Sequence, residues 1–474
     1  SQTPVIWCSN IPVIRSPPPI VLAQQASAMW RLWLLVGILM AGCSEPQPDL
    51  HWLYSEARET RVPPPVIVVP GIMGSRLVAA DGEGQAGEEV WPGGLGRLMF
   101  SDYGDLALPL PGETRADALQ VTGLFDGVAG RDFYGRVVRT LEDAAGYRRT
   151  EPGASVDGPA ARYYVFSYDW RQDNLATARQ LHGLIEQIRR DHDDPALKVD
   201  VIAHSMGGLV LRYYMRYGTV DVLGSNDFPV SGVGAERIHR LILLGTPNLG
   251  SITAMTSLLE GQRVGLRRVP AEVMLSFPSV YQLMPHALTP WLVTETGEPL
   301  TRDQFDIYIW KRFQIGPWDP ALEARLGKAR VQALQRASHL YLERARRFSW
   351  ALTVPAPPSQ TEIHQFGGDC HPTPSRFLVE EIDGESHLRL WPREVANSVS
   401  GRDYQRWMLA PGDGVVTKAS LLARNVLNPA VPRHRFIHFP ARSAFFLCEH
   451  HDRLTGNVNF QDNLLHVLLS ADGL

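Results

Sequence analysis

Short unbroken apolar runs alternate, along the first half of the chain, with longer stretches whose apolar residues recur every three or four positions. Val66-Ile67-Val68-Val69 reads as a short buried strand that ends in the turn Pro70-Gly71-Ile72-Met73-Gly74. Val137, Val138, Leu141 and Ala144 are spaced for a helix packed on one face. Arg162-Tyr163-Tyr164-Val165-Phe166 is a second strand. Leu175, Ala178, Leu181, Leu184, Ile185 and Ile188 then recur at helical spacing. Val199-Asp200-Val201-Ile202-Ala203 and Leu241-Ile242-Leu243-Leu244 are two further strands, with the helical run Leu209 to Met215 between them. Alternation of this kind predicts an α/β fold with a mostly parallel sheet and helices on both faces.

The rhythm breaks twice. The stretch from Gly82 to Gly123 reads as loop-rich. Residues Ile252 to Leu352 are helix-like, contain Trp291, Trp310, Trp318 and Trp350, and read as an inserted cap. Ile363-His364-Gln365-Phe366-Gly367-Gly368 and Phe436-Ile437-His438-Phe439 look like late strands of the same sheet, and Phe460 to Leu468 like a closing helix. The predicted organisation is an upstream segment with a signal over 1–42, a tether over 43–65, a discontinuous core over 66–251 and 353–474, and a cap and lid insertion over 252–352.

Composition changes this picture little. The chain has 474 residues, 44% hydrophobic and 20% charged, which are ordinary globular values. A net charge of −4 gives no electrostatic case for nucleic acid. No cofactor is implied, and a metal site built on His450, His451 and Asp452 lacks a third ligand cluster of convincing spacing.

The N-terminal region adds a location. Met29-Trp30-Arg31 precedes an apolar run that ends in Leu39-Met40-Ala41-Gly42-Cys43. A basic start, a short apolar stretch and small residues before a cysteine resemble a bacterial lipoprotein signal, with Cys43 lipidated. The run is too short to span a membrane comfortably. Ser44 then implies the outer membrane, facing the periplasm or the cell surface, and Met29 is a candidate start. Apart from Cys43 and Cys8, only Cys370 and Cys448 remain. An even pair in an exported protein suggests a disulfide; two buried thiols are the alternative.

The chemistry is concentrated at Ala203-His204-Ser205-Met206-Gly207-Gly208. A strand, a serine in a sharp turn, two glycines and a helix form the context of a nucleophile elbow, with Ala203 in place of the first glycine. A serine hydroxyl needs a histidine base, and that base needs an orienting acid. In such a fold the acid follows the serine and the histidine comes last. Asp413, in Pro411-Gly412-Asp413-Gly414, fits the acid; Asp369 competes for that role. His451, before the closing helix, is the favoured base and His450 the alternate. Met206 supplies one oxyanion N–H, and Ile72 or Met73 the other. His204 reads as a packing residue of the elbow.

Together these motifs resemble the lecithin:cholesterol acyltransferase family, which includes lysosomal phospholipase A2 and phospholipid:diacylglycerol acyltransferases. The similar segments are Val69 to Leu77, Tyr168-Asp169-Trp170-Arg171, Ala203 to Gly208, Gly245-Thr246-Pro247, Pro278 to Pro285 and Gly412 to Val416, in preserved order. The resemblance implies an α/β-hydrolase core with a cap and a mobile lid near Ser251 to Val273. It implies a triad of Ser205, Asp413 and His451, and transfer of an acyl chain from a glycerolipid to water or an alcohol. It also implies that Trp91 lies near the site, whereas Tyr168 to Arg171 reads as a structural ion-pair corner. The chain departs from the family in one respect: no cysteine lies between Cys43 and Cys370, so the early loop lacks the family's short-range disulfide. The expected partners are a lipid substrate and a membrane surface. A carboxylesterase for small soluble esters, and a non-catalytic lipid-binding surface lipoprotein, are the rival readings.

Overall fold

The computed structural model describes residues 47–80, 86–128, 131–423 and 440–469. The expectations for the signal, Cys43, and a strand at Phe436 to Phe439 lie outside these residues. Everything described below lies within residues 50–474, one compact unit.

Seven strands form one sheet: β1 (Val66–Val69), β2 (Arg148–Arg149), β3 (Arg162–Val165), β4 (Val199–His204), β5 (Ile238–Leu244), β6 (Glu362–Gly368) and β7 (Ser443–Leu447). Their order across the sheet is β7-β6-β5-β4-β1-β3-β2, and every neighbouring pair is parallel. This is an α/β-hydrolase fold. Parallel strands are buried on both faces, which explains the unbroken apolar runs. Alternate residues of one run serve opposite cores. Ile67, Val69, Val201, Ala203, Leu241 and Leu243 pack on one side. Val66, Val68, Ile202, Ile242 and Leu244 pack on the other.

Helices α1 (Asn174–Asp191) and α2 (Met206–Tyr217) follow β3 and β4. Asp173 caps α1 by accepting the Leu175 N–H. From β1 the chain passes to β2 at the sheet edge, comes back as β3 between β2 and β1, and then lays β4 on the other side of β1. The strand order therefore reverses between β1 and β4. The crevice outside the carboxyl ends of strands at such a point is where open α/β sheets bind ligands.

The loop-rich expectation for Gly82 to Gly123 needs correction. Ser75–Ala80 pairs antiparallel with both Ala86–Trp91 and Leu119–Leu124 to make a three-stranded sheet. Glycines and register shifts in these strands hide the two-residue period from the sequence. The region 252–352 is mainly helical, with α3 (Ile252–Glu260), the hairpin Gln262–Val264 and Arg267–Val269, and α4 (Lys328–Ala351). It also supplies Leu292–Thr294, which pairs parallel with Phe377–Ile382. The small sheet thus reaches beyond residue 352, and the excursion between β6 and β7 shares it. The last strand, β7, is Ser443–Leu447, and α5 (Val458–Leu469) closes the fold.

Two glycines let α2 close on the sheet. A Cβ at Gly207 would lie 2.6 Å from the Pro70 carbonyl oxygen, and one at Gly208 would lie 2.1 Å from Thr246 Oγ1. Gly207→Ala is predicted to destabilise the protein by roughly 1–3 kcal/mol through overpacking, because the obstacle is backbone and not a flexible side chain. Chemical denaturation would measure it; an unchanged midpoint would mean that the turn has room to give.

Candidate active site

Three side chains meet outside the carboxyl ends of the strands. Ser205 follows β4 with φ 52° and ψ −123°, a conformation that ordinary residues avoid. Its N–H bonds the Leu244 carbonyl at 2.8 Å, and α2 starts directly after it. The side chain is thereby lifted off the strand line while 94% of the residue stays covered (6% exposed).

His451 follows β7. Its Nε2 lies 2.9 Å from Ser205 Oγ, and its Nδ1 lies 2.8 Å from Asp413 Oδ2. With Nδ1–H donating to the carboxylate, Nε2 accepts the serine proton. Asp413 is 1% exposed, and its Oδ1 accepts the Val415 and Val416 N–H groups at 2.9 and 2.7 Å. Burial works against its charge, but His451 and these two amides outweigh burial and hold the carboxyl below the ordinary aspartate value. Burial likewise opposes the His451 cation, yet the Asp413 charge and hydrogen bond raise this imidazole above its ordinary 6.5.

The acid reaches this position by an unusual route. After β6 the chain leaves the large sheet, forms His371–Pro374, and returns as the antiparallel partner Leu409–Gly412, directly before Asp413. The Cys370–Cys448 disulfide joins the segments just past β6 and β7, whose ends are already in register at Gly368 and Leu447. The competing acid Asp369 pairs instead with Lys418 Nζ at 2.8 Å. His450 points away from the serine and stacks on His371, with ring centroids 3.6 Å apart. The cluster Cys370, His371 and Cys448 has metal-ligand side chains, but its two sulfurs are bonded to each other.

The turn after β1 forms the opposite wall. Gly74 N–H bonds Gly71 O at 3.1 Å, and Gly71 N–H bonds Tyr134 Oη at 2.9 Å, so the Ile72 and Met73 amides are those between the two committed ones. Gly71 approaches the serine closely; a Cβ there would stand 2.8 Å from Ser205 Cβ. Met206 N–H lies at the first turn of α2, where the helix dipole favours negative charge. Trp91 Nε1 donates to Met73 O at 2.8 Å, and the ring packs edge-on to Trp170. Trp91 thus braces the turn, from the end of a strand.

Tyr168 to Arg171 does more than make an ion pair. Arg171 is fully buried and bonds Asp169 and Asp117 at 2.8 and 2.6 Å. Tyr168 Oη donates to Pro70 O at 2.8 Å, and Trp170 Nε1 to Ser75 O at 3.0 Å. These two aromatic groups pin both ends of the turn, a role that no spacing in the sequence marks. The segment expected to form a lid begins beside Asp413: Ser251 Oγ donates to Val415 O at 2.5 Å and caps α3. Beyond it, the hairpin tip Leu266 and the helix Leu95–Phe100 expose Leu266, Leu95, Met99 and Phe100 to solvent. Arg267 Nε bonds Ser101 O at 3.1 Å, which holds hairpin and helix together. A cavity of about 920 Å³ opens elsewhere, against Arg212, Arg216 and Val354, and the three clustered side chains do not line it.

No curated protein matches the sequence. One chain from the crystal structure of the Tle4-Tli4 complex aligns with a TM-score of 0.53 at 16% identity, covering 86% of this chain and 98% of that one. EstA from Clostridium botulinum aligns at 13% identity over 91% and 92% of the two chains, with a TM-score of 0.35. The mature form of the Bacillus licheniformis lipase BlEst2 aligns at 11% identity over 86% and 93%, with a TM-score of 0.32. Residues 144–316 match the family model for lecithin:cholesterol acyltransferase; this stretch includes Ser205 and stops short of Asp413 and His451. Over that stretch, within an α/β-hydrolase fold, the chain is similar to the lecithin:cholesterol acyltransferase family.

Proposed function

We propose that this protein is a serine acyl hydrolase or O-acyltransferase acting on lipid esters, with Ser205, His451 and Asp413 as its triad. The observation that carries the reading is the continuous hydrogen-bonded chain from Ser205 Oγ through His451 to Asp413. Ser205 Oγ attacks the ester carbonyl carbon while His451 Nε2 takes its proton. The Met206 N–H, with that of Ile72 or Met73, stabilises the oxyanion. Collapse expels the alcohol, which receives the proton from His451, and leaves an acyl-serine. Water or an acceptor alcohol then gives its proton to His451 and takes the acyl group.

A lipid substrate is favoured over a small soluble ester by the exposed apolar group Leu95, Met99, Phe100 and Leu266. Exposed Arg263, Arg267 and Arg268 flank Leu266, a combination suited to a lipid surface. In this reading the segment Ser251 to Val273 acts as a lid that moves aside at such a surface. A lipid anchor at Cys43, on the outer membrane, would hold the enzyme there. Among the described residues, no helix is long and apolar enough to cross a membrane.

A fluorophosphonate should label Ser205 alone, and label nothing in Ser205→Ala; labelling at another serine would overturn the assignment. His451→Ala should cost about four orders of magnitude in rate, and His450→Ala far less. Because His451 must be neutral to act as base, kcat/KM should fall as pH drops through a value above 6.5. Asp413→Asn removes the charge that raises this group, so its residual activity should show an acid limb shifted to lower pH; a limb that stays in place would separate Asp413 from the base. Finally, Phe100→Ser with Leu266→Ser should slow hydrolysis of vesicle lipid while leaving a soluble short-chain ester unaffected. Equal rates on vesicles would favour the small-ester reading.

A further inference from the structure

Tyr134 and His204 are two polar residues that the proposed chemistry leaves without a role. Tyr134 is buried, immediately before the short helix Gly135–Arg139. Its hydroxyl accepts the Gly71 N–H at 2.9 Å and lies 2.8 Å from His204 Nδ1. A phenol has a single proton to give, so it donates to Nδ1 and leaves the His204 proton on Nε2. That Nε2–H faces the His451 carbonyl oxygen at 3.3 Å. The His451 N–H in turn donates to Asp413 O at 3.0 Å. One uninterrupted chain thus runs from the oxyanion turn, through the residue before the nucleophile, to the backbone of the base and the acid.

A second set of contacts ties the same segment to the same loop. Thr455 Oγ1 donates to the Phe133 carbonyl, and Arg136 Nη1 to Gly456 O at 3.4 Å. Residues 133–136 therefore stand between the wall that carries the oxyanion donors and the loop that carries the base. Burial, followed by the proximity of His451, pushes His204 down to about 3, so this ring stays neutral when His451 becomes charged. The ring centroids lie 4.9 Å apart, close enough for a charged His204 to oppose that step.

We infer that Tyr134 and His204 are positioning residues that fix the separation between the oxyanion turn and the His451 loop through one Gly71–Tyr134–His204–His451 hydrogen-bond chain. The inference rests on the serine-hydrolase reading. Neither residue touches the reacting atoms; they set the distance between groups that do, and such placement is worth one to two orders of magnitude in rate.

The test uses the full chain and two readouts: the rate of Ser205 phosphonylation by a fluorophosphonate, and kcat and KM on a short-chain p-nitrophenyl ester. Tyr134→Phe keeps the ring and removes the hydroxyl. It should slow phosphonylation and kcat by about ten- to hundredfold with KM little changed. His204→Ala should lose a similar factor. The double variant should be no slower than the slower single one, because both break the same chain. His204→Asn, which keeps an acceptor facing Tyr134, should recover part of what His204→Ala loses. If Tyr134→Phe melts early, the Asn and Ala variants of His204 decide the matter without it. A Tyr134→Phe rate within twofold of wild type, losses that multiply in the double variant, or equal rates for the two His204 variants would overturn the inference. If Ser205 of the wild-type protein fails to react, the hydrolase reading falls and takes this one with it, an outcome distinct from the others.

Discussion

The site depends on how closely two turns approach each other. The turn after β1 and the turn after β4 come so near that each needs a glycine at the contact: Gly71 abuts the Ser205 side chain, and Gly207 abuts the Pro70 carbonyl. The contact forms where the strand order reverses, so the two turns leave adjacent parallel strands in register, Val69 beside Ala203. Any hydrogen-bond donor on the first turn is then automatically opposite Ser205 on the second. The strained backbone at Ser205 is tolerated because the sheet behind it and the helix after it leave no alternative path.

Around this contact the protein spends aromatic side chains on backbone atoms. Tyr134, Tyr168, Trp91 and Trp170 each direct a polar group at residues 70–75. An exposed loop would fluctuate on the scale of the distances that matter in acyl transfer. A turn whose amides and carbonyls are held by buried rings keeps its donors aimed in advance, and in the proposed function this is the source of electrostatic preorganisation. The fully buried Arg171 with Asp169 and Asp117 gives the same corner a fixed base.

Much of this was legible in the residues, and the reason differs from part to part. β1, β4, β5 and β6 could be read because strands buried on both faces must be apolar throughout. The turn at Ser205 could be read because an elbow constrains its neighbours sterically, and the turn at Asp413 because glycines flank it. What escaped depends on contacts distant in sequence. The strands Ala86–Trp91 and Leu119–Leu124 are broken by glycine and polar residues, and only Ser75–Ala80 between them makes them a sheet. Strand β7 is five residues long, and the pattern of its neighbours gives it no distinct boundary. Tyr134 carries no spacing that relates it to Gly71 or His204, which are 63 and 70 residues away. The small sheet built from Leu292–Thr294 and Phe377–Ile382 crosses the boundary that helical composition alone drew at residue 352.

The Cys370–Cys448 bridge has a topological consequence. It closes a covalent ring with a sequence separation of 78 residues. Asp413 lies inside that ring, and His451 lies three residues outside its far end. The two groups that the proposed triad pairs are thus held by a closed loop as well as by a linear chain. A single peptide-bond cut anywhere between the two cysteines would open the polypeptide without separating it into two molecules, and the acid and the base would remain parts of one covalent body.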